Sequence, residues 1–145
     1  MEWKLGWVTY KKRLNRDNAV AYIEAINLEG KKRYKGIRAT EASERAVFES
    51  IERNGEFVLC LIPTVYFAFI TCGNHLRIEK IREFFRDNKN RLSRIPPVVV
   101  GDYKSGKLVL LDGTARSTVA YEQNIPLLGY VPEKLISVLK GVTRL

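Results

Sequence analysis

The sequence predicts an α+β fold: a small mixed sheet with flanking helices. Three observations carry the expectation. Short apolar runs, such as those at 57–62 and 108–111, are bounded by Pro, Gly or Asp-Gly and read as buried strands. Two longer segments, 40–54 and 75–90, place their apolar residues on one side at helical spacing. Strands and helices follow one another in a mixed order with short connections.

Trp7 to Tyr10 reads as a short strand, followed by the basic stretch Lys11-Lys12-Arg13-Leu14-Asn15-Arg16. Asn18 to Leu28 is ambiguous. Asp17 could cap a helix, but Tyr22, Glu24, Ile26 and Leu28 alternate, and Glu29-Gly30 before Lys31–Arg38 reads as a hairpin turn and return strand. The hairpin is the favoured expectation. The helix over 40–54 has Thr40 as its N-cap and Glu41 and Glu44 in its first turn. It ends at Asn54-Gly55, where a left-handed residue is expected. Phe57 to Ile62 is a strand that Pro63 ends, and Val65 to Thr71 is expected to form another. In the 75–90 helix, Ile78, Ile81, Phe84 and Phe85 form the apolar stripe, with Arg77, Lys80, Arg82 and Arg86 around it. Pro96-Pro97 forbids helix and introduces the β-branched run Val98–Val100. Lys104-Ser105-Gly106 is a turn signal before a strand at 107–111. A helix over 114–123 ends near Asn124, a strand covers Leu127 to Val131, and a last helix covers Glu133 to Lys140.

With 145 residues, 46% of them hydrophobic and 28% charged, the chain suits one globular domain rather than a disordered tract. Its formal net charge of +9 favours polyanionic partners, whether nucleic acid, nucleotides or an acidic membrane surface, or else serves solubility alone. Cys60 and Cys72 sit beside apolar segments, form no Cys-x-x-Cys pair, and with one histidine cannot build a zinc site at the usual spacing. The start Met-Glu-Trp-Lys-Leu-Gly has no signal-peptide core, and the apolar stretch at 57–70 is too short to span a bilayer. A cytoplasmic protein without a membrane partner is expected.

The richest segment is 108–124. The apolar run stops at Asp112-Gly113 and turns directly into a helix that carries Arg116, an arrangement that aims backbone N–H groups at one point and suits an anion. Gly113 can take positive φ and let the backbone approach a phosphate, or can simply serve an Asp-Gly turn. Thr114, Ser117 and Thr118 offer hydroxyls, and Thr114 alternatively caps the helix. Arg116 offers a planar fork for phosphate oxygens, or an ion pair. Asp112 could ligate Mg²⁺, act as a general base, or cap the helix. His75, the only histidine, is a candidate general acid or base, or a structural residue. Lys31, Lys32, Arg33, Lys35 and Arg38, interleaved with Tyr34, suit nucleic-acid contact or a solvated hairpin tip.

From residue 75 onward the order is a basic amphipathic helix, Ile-Pro-Pro-Val-Val-Val, a turn, Lys-Leu-Val-Leu-Leu-Asp-Gly-Thr-Ala-Arg, a helix with small residues, and Ile-Pro-Leu-Leu-Gly-Tyr-Val-Pro. This order resembles the ParB/sulfiredoxin-like superfamily, which pairs a Pro-φ-φ-Val strand with a strand–Gly-x-x-Arg–helix element and a short φ-Pro-φ-φ strand. The resemblance covers the C-terminal half. It implies a ParB/sulfiredoxin-like core over 65–145, on which residues 1–64 pack as a β-rich and helical N-terminal extension. Superfamily members bind and in some cases hydrolyse CTP, rescue oxidised peroxiredoxins with ATP, phosphorylate free serine, or cut nucleic acid.

By position Gly113 matches the motif glycine and Arg116 the motif arginine. Thr114 stands where sulfiredoxins carry the catalytic cysteine, so their sulfinic-acid chemistry is not available here. Ala115 stands where relatives carry His or Arg, which removes a cation or proton donor. The resemblance therefore implies a ParB-like phosphate-binding domain that takes a nucleotide (ATP, ADP or CTP) or nucleic acid, DNA above all. The alternatives are an Mg²⁺-dependent phosphoryl-transfer enzyme or nuclease, and a non-catalytic protein-interaction module. A homodimer is also among the expectations.

Overall fold

The computed structural model describes residues 3–5, 8–19, 21–22, 41–69, 75–90, 92 and 95–145, with backbone only for 3–5, 8–10, 41–44 and 75–77. Strands β1 (Trp3–Leu5) and β2 (Val8–Tyr10) pair as an antiparallel ribbon. The main sheet holds β3 (Arg13–Leu14), β4 (Phe57–Ile62), β5 (Val98–Lys104), β6 (Lys107–Asp112), β7 (Leu127–Pro132) and β8 (Thr143–Arg144). Its order is β3-β4-β7-β5-β6, and β8 shares the outer edge of β4 with β3. All these pairings are antiparallel except β5 with β7, which run parallel. The fold is thus mixed α+β around a small mixed sheet.

Period-two alternation divides the strands between two cores. Val58, Cys60 and Ile62 of β4, Val98 and Val100 of β5, and Leu127 and Val131 of β7 face one layer. That layer contains α2 (His75–Asn88), through Ile78, Ile81 and Phe85, and α3 (Thr114–Gln123), through Ala115, Val119 and Ala120. Phe57, Leu59, Val99, Leu128 and Tyr130 face the other, covered by Val47 and Ile51 of α1 (Glu41–Asn54) and by Leu14, Ala19 and Tyr22. Strands covered on both faces read as unbroken apolar runs, which explains Phe-Val-Leu-Cys-Leu-Ile in β4. β4, placed by the sequence in the N-terminal extension, is an interior strand of the sheet that contains β5, β6 and β7.

Cys60 is fully buried, and desolvation pushes its thiol up to about 11. Native protein at pH 8 is therefore expected to leave Cys60 unmodified by iodoacetamide, whereas urea-unfolded protein is labelled there. Peptide mass mapping checks this, and rapid native labelling of Cys60 would contradict the packing.

The structure departs from the sequence expectations at three places. The favoured hairpin gives way to a helical start at its described residues: Ala19 N donates to Asn15 O at 3.0 Å and Tyr22 N to Asn18 O at 3.0 Å. The cap is Asn15, not Asp17. Its Oδ1 accepts from Asp17 N and Asn18 N, while Asn18 Oδ1 accepts from Asn15 N, a reciprocal arrangement that the alternating apolar pattern concealed. The expected strand from Val65 is instead a 3₁₀ turn, Thr64–Tyr66, followed by irregular chain to 69. Pro63 lacks a ladder donor, both edges of β4 are already occupied, and Lys107 Nζ donates to the carbonyls of Val65 and Phe67. The last helix is 3₁₀ over Glu133–Val138. Elsewhere β5 and β6 join through Ser105 and Gly106, both with positive φ, the twist a two-residue hairpin requires.

Candidate functional site

The turn between β6 and α3 closes over the start of β5. Gly113 stands at the N-cap of α3 with φ 97° and ψ 24°, a left-handed conformation that glycine adopts without cost. A Cβ there would lie 2.5 Å from Val98 Cγ1 and 3.2 Å from Arg116 Nη2, so the site needs glycine for space as well as for φ. Ser117 N donates to Gly113 O at 2.9 Å, which closes the first helical turn. The cap residue is a glycine and makes no side-chain capping bond. Neither Thr114 nor Asp112 takes the capping role that the sequence allowed, because the glycine itself occupies the cap position.

Arg116 points inward. Its Nη1 donates to the carbonyls of Pro96 at 2.6 Å and Pro97 at 2.7 Å, and its Nη2 meets Asp112 Oδ2 at 3.1 Å. Arg116 is only 5% exposed and Asp112 only 8%. Tyr22 completes the knot: its hydroxyl lies 2.6 Å from Pro97 O and 3.2 Å from Asp112 Oδ2. Its ring meets Tyr130 edge-on at 5.3 Å. Pro96 and Pro97 cannot enter a ladder through their nitrogens, and the guanidinium fork satisfies their buried carbonyls. Of the two readings open for Arg116, the geometry matches the ion pair, and the pair is buried rather than superficial.

The structure brings Asp112, Gly113, Thr114 and Arg116 together. Ser117 and Thr118 follow on the same helix but are 1% and 0% exposed, turned into the core with Ala115, Val119 and Ala120. Thr114 is half-buried and is the window of this turn to solvent. His75 is the first residue of α2, with only its backbone described. Lys31, Lys32, Arg33, Lys35 and Arg38 lie outside the described residues. Arg82, from the basic side of α2, makes a side-on pair with Glu122 of α3, both N–O distances 2.8 Å, and that bond holds the Glu122 carboxyl below its usual range.

Sequence reasoning missed Tyr22 and the two proline carbonyls as parts of this site. Asp112 and Arg116 are four residues apart, and the turn at Gly113 folds the end of β6 back onto the first turn of α3, which lets them meet. Tyr22, far away along the chain, has no such local link. Among the described residues, no group of three or more His, Cys, Asp or Glu side chains is placed to hold a metal ion. Again among these residues, no helix is long and apolar enough to cross a membrane. No family model, curated protein or solved structure matches the chain.

Proposed function

We propose that this chain is a ParB-like phosphate-binding domain that takes a nucleotide or nucleic acid at the first turn of α3. The observation that carries the reading is the left-handed Gly113, with no side-chain cap, at the start of a helix in a chain of net charge +9. Uncapped first-turn N–H groups and the helix dipole favour a negative group at the Thr114 window. In this reading Arg116 is a positioning residue rather than a phosphate ligand. It fixes the turn through Pro96 and Pro97 and neutralises Asp112, whose carboxylate would otherwise repel the anion. The dipole contributes only about 0.3–1 kcal/mol, up to about 2 when partly buried, so the basic surface must supply the remainder.

Binding is favoured over Mg²⁺-dependent phosphoryl transfer or nuclease action. Asp112 Oδ2 already faces both the Arg116 guanidinium and the Tyr22 hydroxyl, and ligating a cation would set it against that guanidinium. Two titrations test the proposal. ATP, ADP or CTP should move the amide resonances of Gly113, Thr114 and Ala115. Affinity for a short DNA duplex should fall by at least about tenfold between about 50 and 200 mM salt, as counterion release requires. Unmoved amides would remove the site, and absent or salt-independent DNA binding would remove the nucleic-acid partner. Failure of both leaves the protein-interaction module as the better reading.

A further inference from the structure

A second site lies on the opposite face of the sheet from α3, where the β5–β6 ladder is irregular. Val99 pairs with Asp112, Val100 with Leu110, and Asp102 with Val109, which leaves Leu111 and Gly101 outside the regular pairs. Such bulges re-aim side chains and recur beside functional sites. Here Gly101 makes room for Leu111, since a Cβ at Gly101 would lie 2.7 Å from Leu111 Cδ2. Above them is a cleft of about 340 Å³ between the C-terminal end of α1 and the turn after β7. It lies toward the carboxyl ends of the parallel pair β5 and β7, where open sheets commonly receive ligands. Its volume falls at the small end of the range for small-molecule sites.

The lining has a definite chemistry. Arg53 enters from α1 and Lys134 from the turn after β7. Among the described residues neither is paired with a carboxylate. The carboxylate of the cleft, Asp102, has Lys104 Nζ 3.9 Å away, which offsets it. The C-terminal carbonyls of α1 contribute about half a negative charge. The cleft therefore keeps an excess of positive charge sufficient for one anionic group. Val109, Leu111 and Leu135 supply apolar wall, and Val109 remains 43% exposed despite its size and β-branching. Arg53 offers a planar fork and Lys134 a mobile ammonium, a combination that suits phosphate or carboxylate oxygens.

We propose that this cleft binds a small organic oxyanion, a phosphate monoester or carboxylate on a compact apolar body, through Arg53 and Lys134 with the body against Val109, Leu111 and Leu135. The probe is phenyl phosphate, titrated into the full chain and followed by amide resonances. Shifts are expected at Asn54, Gly101, Asp102 and Lys134. The double variant Arg53→Gln/Lys134→Gln should bind at least about tenfold more weakly, because two charge-assisted contacts are lost. Inorganic phosphate should also bind at least about tenfold more weakly, because it leaves the apolar wall uncovered. Both substituted side chains are exposed, so the variant's thermal unfolding should match that of the parent. Unmoved resonances in the cleft, undiminished binding by the double variant, or inorganic phosphate binding as tightly as phenyl phosphate would overturn the proposal. Shifts confined to 113–115 would do the same while supporting the α3 site, so the two readings fail separately.

Discussion

Replacing Arg116 by methionine is expected to lower the unfolding free energy by about 3–5 kcal/mol, the usual cost of leaving one member of a buried ion pair without the other. The substitution keeps most of the side-chain volume and removes only the fork. What remains among the described residues is a buried Asp112 carboxylate facing Tyr22, a Pro96 carbonyl that loses its 2.6 Å donor, and a Pro97 carbonyl that must share the Tyr22 hydroxyl with Asp112. Domains of this kind are stable by only about 5–15 kcal/mol, so the variant is expected to melt far below the parent. Arg116→Lys should recover only part of the loss. One ammonium cannot span two carbonyls and a carboxylate with the geometry of a planar guanidinium. Urea unfolding of the parent, Arg116→Met and Arg116→Lys measures this. A loss under about 1 kcal/mol for Arg116→Met would place the residue outside the structural knot, because that is the range of a surface pair.

The second large effect is expected at Gly113. Gly113→Ala combines two costs: a left-handed backbone, about 1–2 kcal/mol, and overpacking against Val98, about 1–3 kcal/mol. The predicted loss is about 2–5 kcal/mol. Gly106 isolates the first cost, since it also has positive φ, 80°, but a Cβ there meets nothing within 4 Å. Gly106→Ala is therefore expected to lose only about 1–2 kcal/mol. The difference between the two variants in denaturant unfolding reads the contact with Val98 Cγ1 at 2.5 Å. Equal losses would mean that β5 yields to the new methyl group at no cost.

These two residues also show how far the sequence could be read. Gly113 was legible because a strand that runs into Asp-Gly and then a helix needs a turn at that position. The conformation follows from local chain geometry. Arg116 was legible as a functional candidate but not in its direction. A fork that can clasp a phosphate can equally clasp two carbonyls and a carboxylate, and local sequence does not say which lies nearer. Asn15 and Asn18 show the same limit. Their reciprocal cap competes with an alternating apolar pattern over 22–28, and the described turn follows the cap. At Val65 the β-branched and aromatic composition favours a strand, but Pro63 lacks a ladder donor, both edges of β4 are taken, and Lys107 claims the carbonyls of Val65 and Phe67.

By itself the sequence determined the positions of β4, β5, β6 and β7, of α1, α2 and α3, and of the left-handed glycines Gly55 and Gly113. Those features depend on periodicity, proline, glycine and caps, which act within a few residues. The tertiary structure alone decided that β4 lies inside the sheet beside β7, that Tyr22 reaches Asp112, and that Arg116 faces the core. It also decided that the bulge at Gly101 and Leu111 opens a cleft between Arg53 and Lys134. Each of these joins groups distant along the chain. Which distant groups meet is set by how both faces of the sheet are buried at once, and no local pattern encodes that.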